Sequence, residues 1–317
     1  MDSMTVTEIL RIASGIETQR YQRETARPLI LGKMFHNASY LEQQVVDIVA
    51  ARLGYTSVDL SWKHFESAET SRIHDEVTMS SEAVDLLITA ISSTEMFGEG
   101  RTLTSKLPKY SRVPVISLHD DIYHWQSALS HLFGIKKRLG SLAGKKIAIS
   151  WVYGSTFMSP ALAHALVLEG LLSGASIRVV TPSDFPILGR VRKQALAMTK
   201  ESSAEIEFNH DFEEAFTAVD AIIPLNWLSL DNFNHPERNQ QHALEYKDWF
   251  LKKEKVSENC LISTEPIIQS ELSITPELLQ STQTISSSWL SNRVVALAAT
   301  IEYILSGQET EKNISLV

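Results

Sequence analysis

The stretch from residue 29 to residue 54 constrains the fold more than any other part of the chain. Residues 29–35 form an apolar run of strand length and Asn37-Ala38-Ser39 is turn-like. Val45, Ile48, Val49 and Leu53 then recur at helical spacing before Gly54 stops the pattern. A strand that feeds a helix through a short polar loop presents backbone N–H groups at the helix start, which suits an anion.

The same alternation runs through the rest of the sequence. Residues 5–21 place Ile9, Leu10, Ile12, Ala13 and Ile16 on one helical face. Residues 57–60, 84–90 and 113–117 read as strands, with a helix opening at His74. Residues 96–112 are polar and glycine-containing, the pattern of a mobile loop. Helical spacing over residues 128–139 leads through a turn at residues 140–146 into a second series. There residues 147–151, 177–180, 221–224 and 260–263 read as strands, and residues 160–173 and 212–219 as helices. Residues 232–254 are hydrophilic, a loop plus helix, and an apolar helix fills residues 289–305. Strands alternating with helices predict parallel sheets covered on both faces, and 317 residues give room for two such domains.

Composition narrows the function. A net charge of −9 argues against general binding to nucleic acid or an anionic membrane, since either would need a basic face. Cys260 is the single cysteine, so there is neither an intrachain disulfide framework nor a Cys-x-x-Cys metal site. The N-terminus lacks an uninterrupted apolar run, so neither a signal peptide nor a membrane span is expected, and the location expected is cytoplasmic.

Three stretches carry a family resemblance. In the first, Phe35-His36-Asn37-Ala38-Ser39-Tyr40-Leu41-Glu42-Gln43 precedes a helix ending in Leu53-Gly54. In the second, Asp121-Ile122-Tyr123-His124 heads a helix. In the third, Ala221-Ile222-Ile223-Pro224-Leu225-Asn226-Trp227 closes a strand. Together, and in this order, they resemble the aspartate/ornithine carbamoyltransferase family, and the Asn-Trp pair resembles its N-acylornithine branch. The resemblance implies two mainly parallel α/β domains. One is a donor domain of residues 1–142 plus 287–317 and the other an acceptor domain of residues 143–286. An interdomain helix and a C-terminal return helix join them.

It also implies where function should lie. The family's phosphate loop reads Ser-Thr-Arg-Thr-Arg. With its serine set on Ser39, the two arginines fall on Leu41 and Gln43, and a further family arginine falls on Ala90. Charge-assisted contacts to an anion are worth on the order of 1.5–3 kcal/mol each, so three losses cost roughly 4–8 kcal/mol. The carbamoyl-phosphate site therefore reads as degenerate, with Lys33, Arg27 and Lys106 as possible replacement cations. The donor-binding residues implied are Ser39, Tyr40, Gln43, Gln126 and Ser127. A gapless register makes Ser127 the equivalent of the family's glutamine, and a one-residue slip would make it Gln126. The acceptor-binding residues implied are Tyr153, Ser155, Asn226, Trp227, Thr264 and Arg293.

His124 is the implied electrophile-polarising residue. Ser263-Thr264-Glu265-Pro266 stands where the family has His-Cys-Leu-Pro. Glu265 there reads either as a carboxylate for a cationic ligand and a general base, or as a solvated loop glutamate. His119, Asp120, Asp121 and His124, with Glu42 and His36, could form a metal cluster. The family accounts for Asp121 and His124 without a metal, so neither metal nor cofactor is expected. The functional expectation is a divergent, carbamoyltransferase-like protein, as a homotrimer. It would bind a small amino-acid-like substrate in the interdomain cleft and use an altered donor. A non-catalytic binding homologue and a lyase or hydrolase are the alternatives.

Overall fold

The apolar runs become two parallel sheets, and polar side chains at their carboxyl ends make the local corrections. The structure, a computed structural model, describes residues 2–18, 27–60, 70–93, 96–213, 215–265 and 272–310. The chain divides into a first unit, Glu8–Gln126 with Arg293–Val317, and a second unit, Ser127–Asn292 with Met1–Thr7.

The chain enters through α1 (Ser3–Glu17), shorter than the helix expected over residues 5–21, of which residues 19–21 lie outside the described residues. Then follow β1 (Ile30–His36), α2 (Tyr40–Leu53), β2 (Thr56–Asp59), α3 (Thr70–Glu82) and β3 (Leu86–Ile91). After them come α4 (Glu99–Thr104), α5 (Leu107–Tyr110), β4 (Val115–Asp120) and α6 (Trp125–Leu139). The first sheet is parallel in the order β2-β1-β3-β4. Its central strands are buried on both sides, and Leu31, Leu86 and Ile88 pack with Val45, Val46 and Val49 of α2. Gly54 ends α2 in the left-handed region, φ 70°, where its N–H reaches the carbonyls of Ala50 and Ala51.

The second series is β5 (Lys146–Trp151), α7 (Ala161–Leu172), β6 (Ser176–Val180), α8 (Gly189–Met198), β7 (Ile206–Asn209) and β8 (Ala221–Leu225). It continues with α9 (Pro236–Ala243), β9 (Leu261–Ile262), α10 (Pro276–Leu279) and α11 (Trp289–Thr310). Its sheet is parallel in the order β7-β6-β5-β8-β9. α11 carries the chain back into the first unit, where Val294, Leu297, Ala298, Ile301 and Leu305 join the core around Leu31.

Two expectations are corrected. Residues 96–112 form α4 and α5 rather than a mobile loop. The Asp121 carboxylate accepts the backbone N–H groups of Ser93 (2.6 Å), Gly98 (3.0 Å) and Gly100 (2.6 Å), which pins the segment. Leu103 and Leu107 then bury against Met34, Leu87 and Ile91. Residues 212–219 are turns among the described residues, although Phe212, Ala215, Phe216 and Val219 are buried at helix-like spacing. Arg178 takes the carbonyls of Ala215 (2.7 Å) and Thr217 (3.0 Å), and Ala218 sits at φ 55°. Those carbonyls are lost to any continuing helix. The polar patterns of α8 and β7 carry too little hydrophobic period to be read from the sequence.

Gly100 should therefore be intolerant of a side chain. A Cβ there would lie 2.4 Å from the Ile91 carbonyl oxygen and 2.9 Å from both Asp121 carboxylate oxygens, whereas one at Gly189 would meet nothing within 4 Å. Gly100→Ala is expected to lose about 1–3 kcal/mol in urea denaturation. Gly189→Ala is expected to be neutral or to gain up to about 1 kcal/mol. Equal midpoints for the two variants would show that the Asp121 staple does not hold this segment.

Candidate functional site

In the first unit the loop from β1 to α2 closes on itself. Ser39 caps α2. Its Oγ accepts the Glu42 N–H at 3.3 Å, while the Glu42 carboxylate folds back so that Oε2 takes the Ser39 N–H at 2.7 Å and the Ser39 hydroxyl at 3.0 Å. The other oxygen, Oε1, faces two imidazoles. His119 Nε2 at the end of β4 lies 3.0 Å away, and His124 Nε2 just before α6 lies 3.3 Å away. Glu42 is 4% exposed, so this carboxylate occupies a buried position at a helix N-terminus, with donors on both of its oxygens.

The electrostatics follow from that placement. Burial alone would raise the Glu42 carboxyl, but hydrogen bonds from His119 and His124 outweigh it and hold the group well below the usual carboxylate range. Burial pushes the His124 imidazole below its ordinary value, against the pull of Glu42, and neighbouring His119 and Arg293 act in the same downward direction. A neutral imidazole here donates from Nε2 to the carboxylate.

The acidic pair that follows β4 is committed to backbone. Asp120 Oδ1 accepts the N–H groups of Ile122 (2.8 Å) and Tyr123 (3.0 Å), and its Oδ2 takes Arg101 at 3.1 Å. Asp121 makes the three contacts already described. Among the described residues no group of three or more His, Cys, Asp or Glu side chains has metal-binding geometry. Two of the three cations expected as replacements for the family's phosphate-loop arginines are engaged elsewhere. Lys33 pairs with Asp47 (2.6 Å) and Asp59 (3.1 Å), and Arg27 with Asp85. Ala90 is wholly buried in β3, Tyr40 is exposed, and Leu41 and Gln43 lie half-buried on α2. Gln126 and Arg293 form a reciprocal pair. The amide Nε2 donates to the Arg293 carbonyl, and Arg293 Nε donates to Gln126 Oε1, both at 2.8 Å.

The second unit gathers another group at the carboxyl ends of β8 and β9. Ser127 and His131 stand four residues apart, on one face of α6. The Ser127 hydroxyl donates to Glu265 Oε1 at 2.8 Å. His131 Nδ1 lies 2.7 Å from Ser263 Oγ and its Nε2 lies 3.8 Å from Glu265 Oε1. Glu265 is thus held in place rather than free in solvent, while Pro266 lies outside the described residues. Thr264 is wholly buried. Asn226 donates through Nδ2 to the Val152 carbonyl at 2.7 Å. Trp227 is 1% exposed and gives its indole N–H to the Phe185 carbonyl, which makes it a core residue of this unit. Tyr153 is half-buried and Ser155 exposed. Sequence reasoning missed His131, although its four-residue spacing from Ser127 on an expected helix was a usable signal. It also missed Arg101, which no local pattern marks.

Comparison with known proteins bears on the fold. No protein-family model matches the chain. It is 24% identical over 243 residues to an ornithine carbamoyltransferase of Methanobrevibacter smithii, covering 76% of each chain. It is 27% identical over 245 residues to one from Bacillus cereus, covering 75% of this chain and 73% of that one. Among solved structures, acetylornithine transcarbamylase complexed with acetylcitrulline superposes with a TM-score of 0.84 at 19% identity, over 94% of this chain and 95% of that one. The chain has the transcarbamylase fold. In sequence it is similar to ornithine carbamoyltransferases. A variant N-acetylornithine transcarbamylase complexed with carbamyl phosphate and N-succinyl-L-norvaline also has a TM-score of 0.84, at 19% identity, over 94% of this chain and 96% of that one. No helix of this transcarbamylase-like chain is long and apolar enough to cross a membrane, among the described residues.

The buried carboxylate makes a pH prediction. Because the folded state holds Glu42 below its ordinary pKa of 4.5, its contribution is fully present above that value and is lost as pH falls below it. Glu42→Gln keeps a capping residue but removes the charge. At pH 7 it should cost roughly 1.5–3 kcal/mol. Below pH about 4.5 the gap between variant and wild type should narrow. Parallel stability curves from pH 7 to pH 3.5 would show that Glu42 is not the depressed group.

Proposed function

We propose that the protein is a carbamoyltransferase-family protein that binds an ornithine-like amino acid and is a transferase with a donor other than carbamoyl phosphate. The observation that carries the donor reading is Glu42. Its carboxylate lies at the N-terminus of the phosphate-loop helix, already hydrogen-bonded by Ser39, His119 and His124. A dianionic phosphate brought to the same donors would have to displace a buried anion of like charge and would find no arginine at Leu41, Gln43 or Ala90. The similarity to ornithine carbamoyltransferases over three quarters of the chain supports the ligand class. On this reading the first unit is the donor unit and the second the acceptor unit. Ser39 and His124 line the donor side, and Asn226, Thr264 and Glu265 the acceptor side.

Isothermal titration with carbamoyl phosphate is expected to show no micromolar binding, and ornithine or N-acylornithines should yield no carbamoylated product. Leu41→Arg with Gln43→Arg is expected to restore little affinity while Glu42 remains. Adding Glu42→Thr to that pair should raise phosphate affinity at least tenfold over the double variant. Micromolar binding by the unaltered protein would overturn the donor reading. A triple variant no better than the double one would show that Glu42 is not what fills the site.

The assembly proposed is a cytoplasmic homotrimer. Light scattering at micromolar concentration should give three times the chain mass, and a monomer mass would remove this part of the reading.

A further inference from the structure

The second unit leaves unsatisfied acceptors where it also places a negative charge. Asn226 Oδ1 is buried and has no hydrogen-bond partner among the described residues. Its orientation is not in question. The other end of the amide faces the Val152 carbonyl, which can only accept, so the atom there must be the nitrogen and the stranded atom the oxygen. Thr264 Oγ1 is wholly buried and equally without a partner among the described residues. An unmet buried polar atom keeps its full desolvation penalty, which a ligand's donors would relieve.

The two stranded atoms share one edge of the sheet. β8 and β9 are neighbouring parallel strands paired at Ile222 and Ile262, and Asn226 and Thr264 follow their carboxyl ends. That is the edge at which open α/β sheets present ligand contacts. Next to Thr264, Glu265 supplies the charge and is oriented by the Ser127 hydroxyl. His131 completes the frame. Its Nδ1 lies 2.7 Å from the Ser263 hydroxyl oxygen, and its Nε2 faces the Glu265 carboxylate at 3.8 Å.

We propose that this edge is a guanidinium subsite, formed by Glu265, Asn226 and Thr264 and braced by Ser127 and His131. The complementary group must be cationic and must donate, because a carboxylate and an amide oxygen only accept. A planar guanidinium offers five N–H donors in a fixed fork, enough to meet acceptors spread over two strands. An ammonium is a compact point donor with three. The inference rests on the amino-acid-binding reading above and goes further, since it selects arginine-type ligands over ornithine.

The test is isothermal titration of the full chain with L-arginine, L-ornithine, L-citrulline and L-norvaline. Citrulline is the neutral isostere of arginine, and norvaline carries the amino-acid frame without a polar end. Arginine is expected to bind at least tenfold more tightly than citrulline and several-fold more tightly than ornithine. Glu265→Gln should remove most of the advantage of arginine over citrulline while leaving citrulline binding within about twofold. Thr264→Val should weaken arginine more than norvaline, and near-unchanged melting would show that each variant folds. Citrulline or norvaline binding as well as arginine would overturn the guanidinium subsite and leave the amino-acid reading standing. Ornithine binding more tightly than arginine would overturn the choice of guanidinium. Failure of all four ligands to bind would remove both readings.

Discussion

A buried carboxylate must be met by hydrogen-bond donors or it will take up a proton. Glu42 meets that constraint with the N–H and hydroxyl of Ser39 and the imidazoles of His119 and His124. The consequences reach three elements of the first unit: the cap of α2, the carboxyl end of β4 and the entry to α6. Each contributes a donor to this one carboxylate. A helix N-terminus has few such donors to offer, and here one side chain engages them from inside the chain.

The same economy shows in the neighbouring acids. Asp120 and Asp121 look in sequence like ligands for a metal or a substrate, yet both are engaged by backbone N–H groups of their own surroundings. Asp121 holds the approach to α4, and Gly100 is small because that carboxylate and the Ile91 carbonyl stand where a side chain would go. Polar clustering at a strand end is therefore a weak guide to catalysis unless the backbone's own needs are counted first.

Much of the fold was legible because burial imposes periods. β1, β3, β5 and β8 are central strands covered on both faces, so their apolar runs stand out, and α11 announces itself by length and hydrophobicity. Residues 96–112 and 212–219 failed for opposite reasons. The first looked polar, but its order comes from Asp121, a residue distant in sequence. The second had helical apolar spacing, but Arg178 from another strand captures its carbonyls. In the site, Leu41 and Gln43 stand where the family resemblance implies arginines. That Glu42 would turn back onto Ser39 was readable only as a Ser-x-x-Glu capping box, a local signal whose consequence depends on two histidines brought in by β4 and the start of α6.

The two units change in the same electrostatic direction. Where the resemblance implies arginines for a dianion, the first unit has apolar or amide side chains and a buried carboxylate. Where it implies His-Cys-Leu, the second unit has Ser263, Thr264 and an added carboxylate at Glu265. Each change by itself could be tolerated drift on a stable sheet edge. Drift, however, tends to leave surface groups solvated, whereas Glu42 is buried against two imidazoles and Glu265 is held by Ser127 on α6. Buried charge is expensive to place and survives only where its partners are placed with it. The pairing of Ser127 and His131 at one helical spacing with Ser263 and Glu265 on one strand end is such a set. It argues that the acidic character of this edge is built into the packing of the unit.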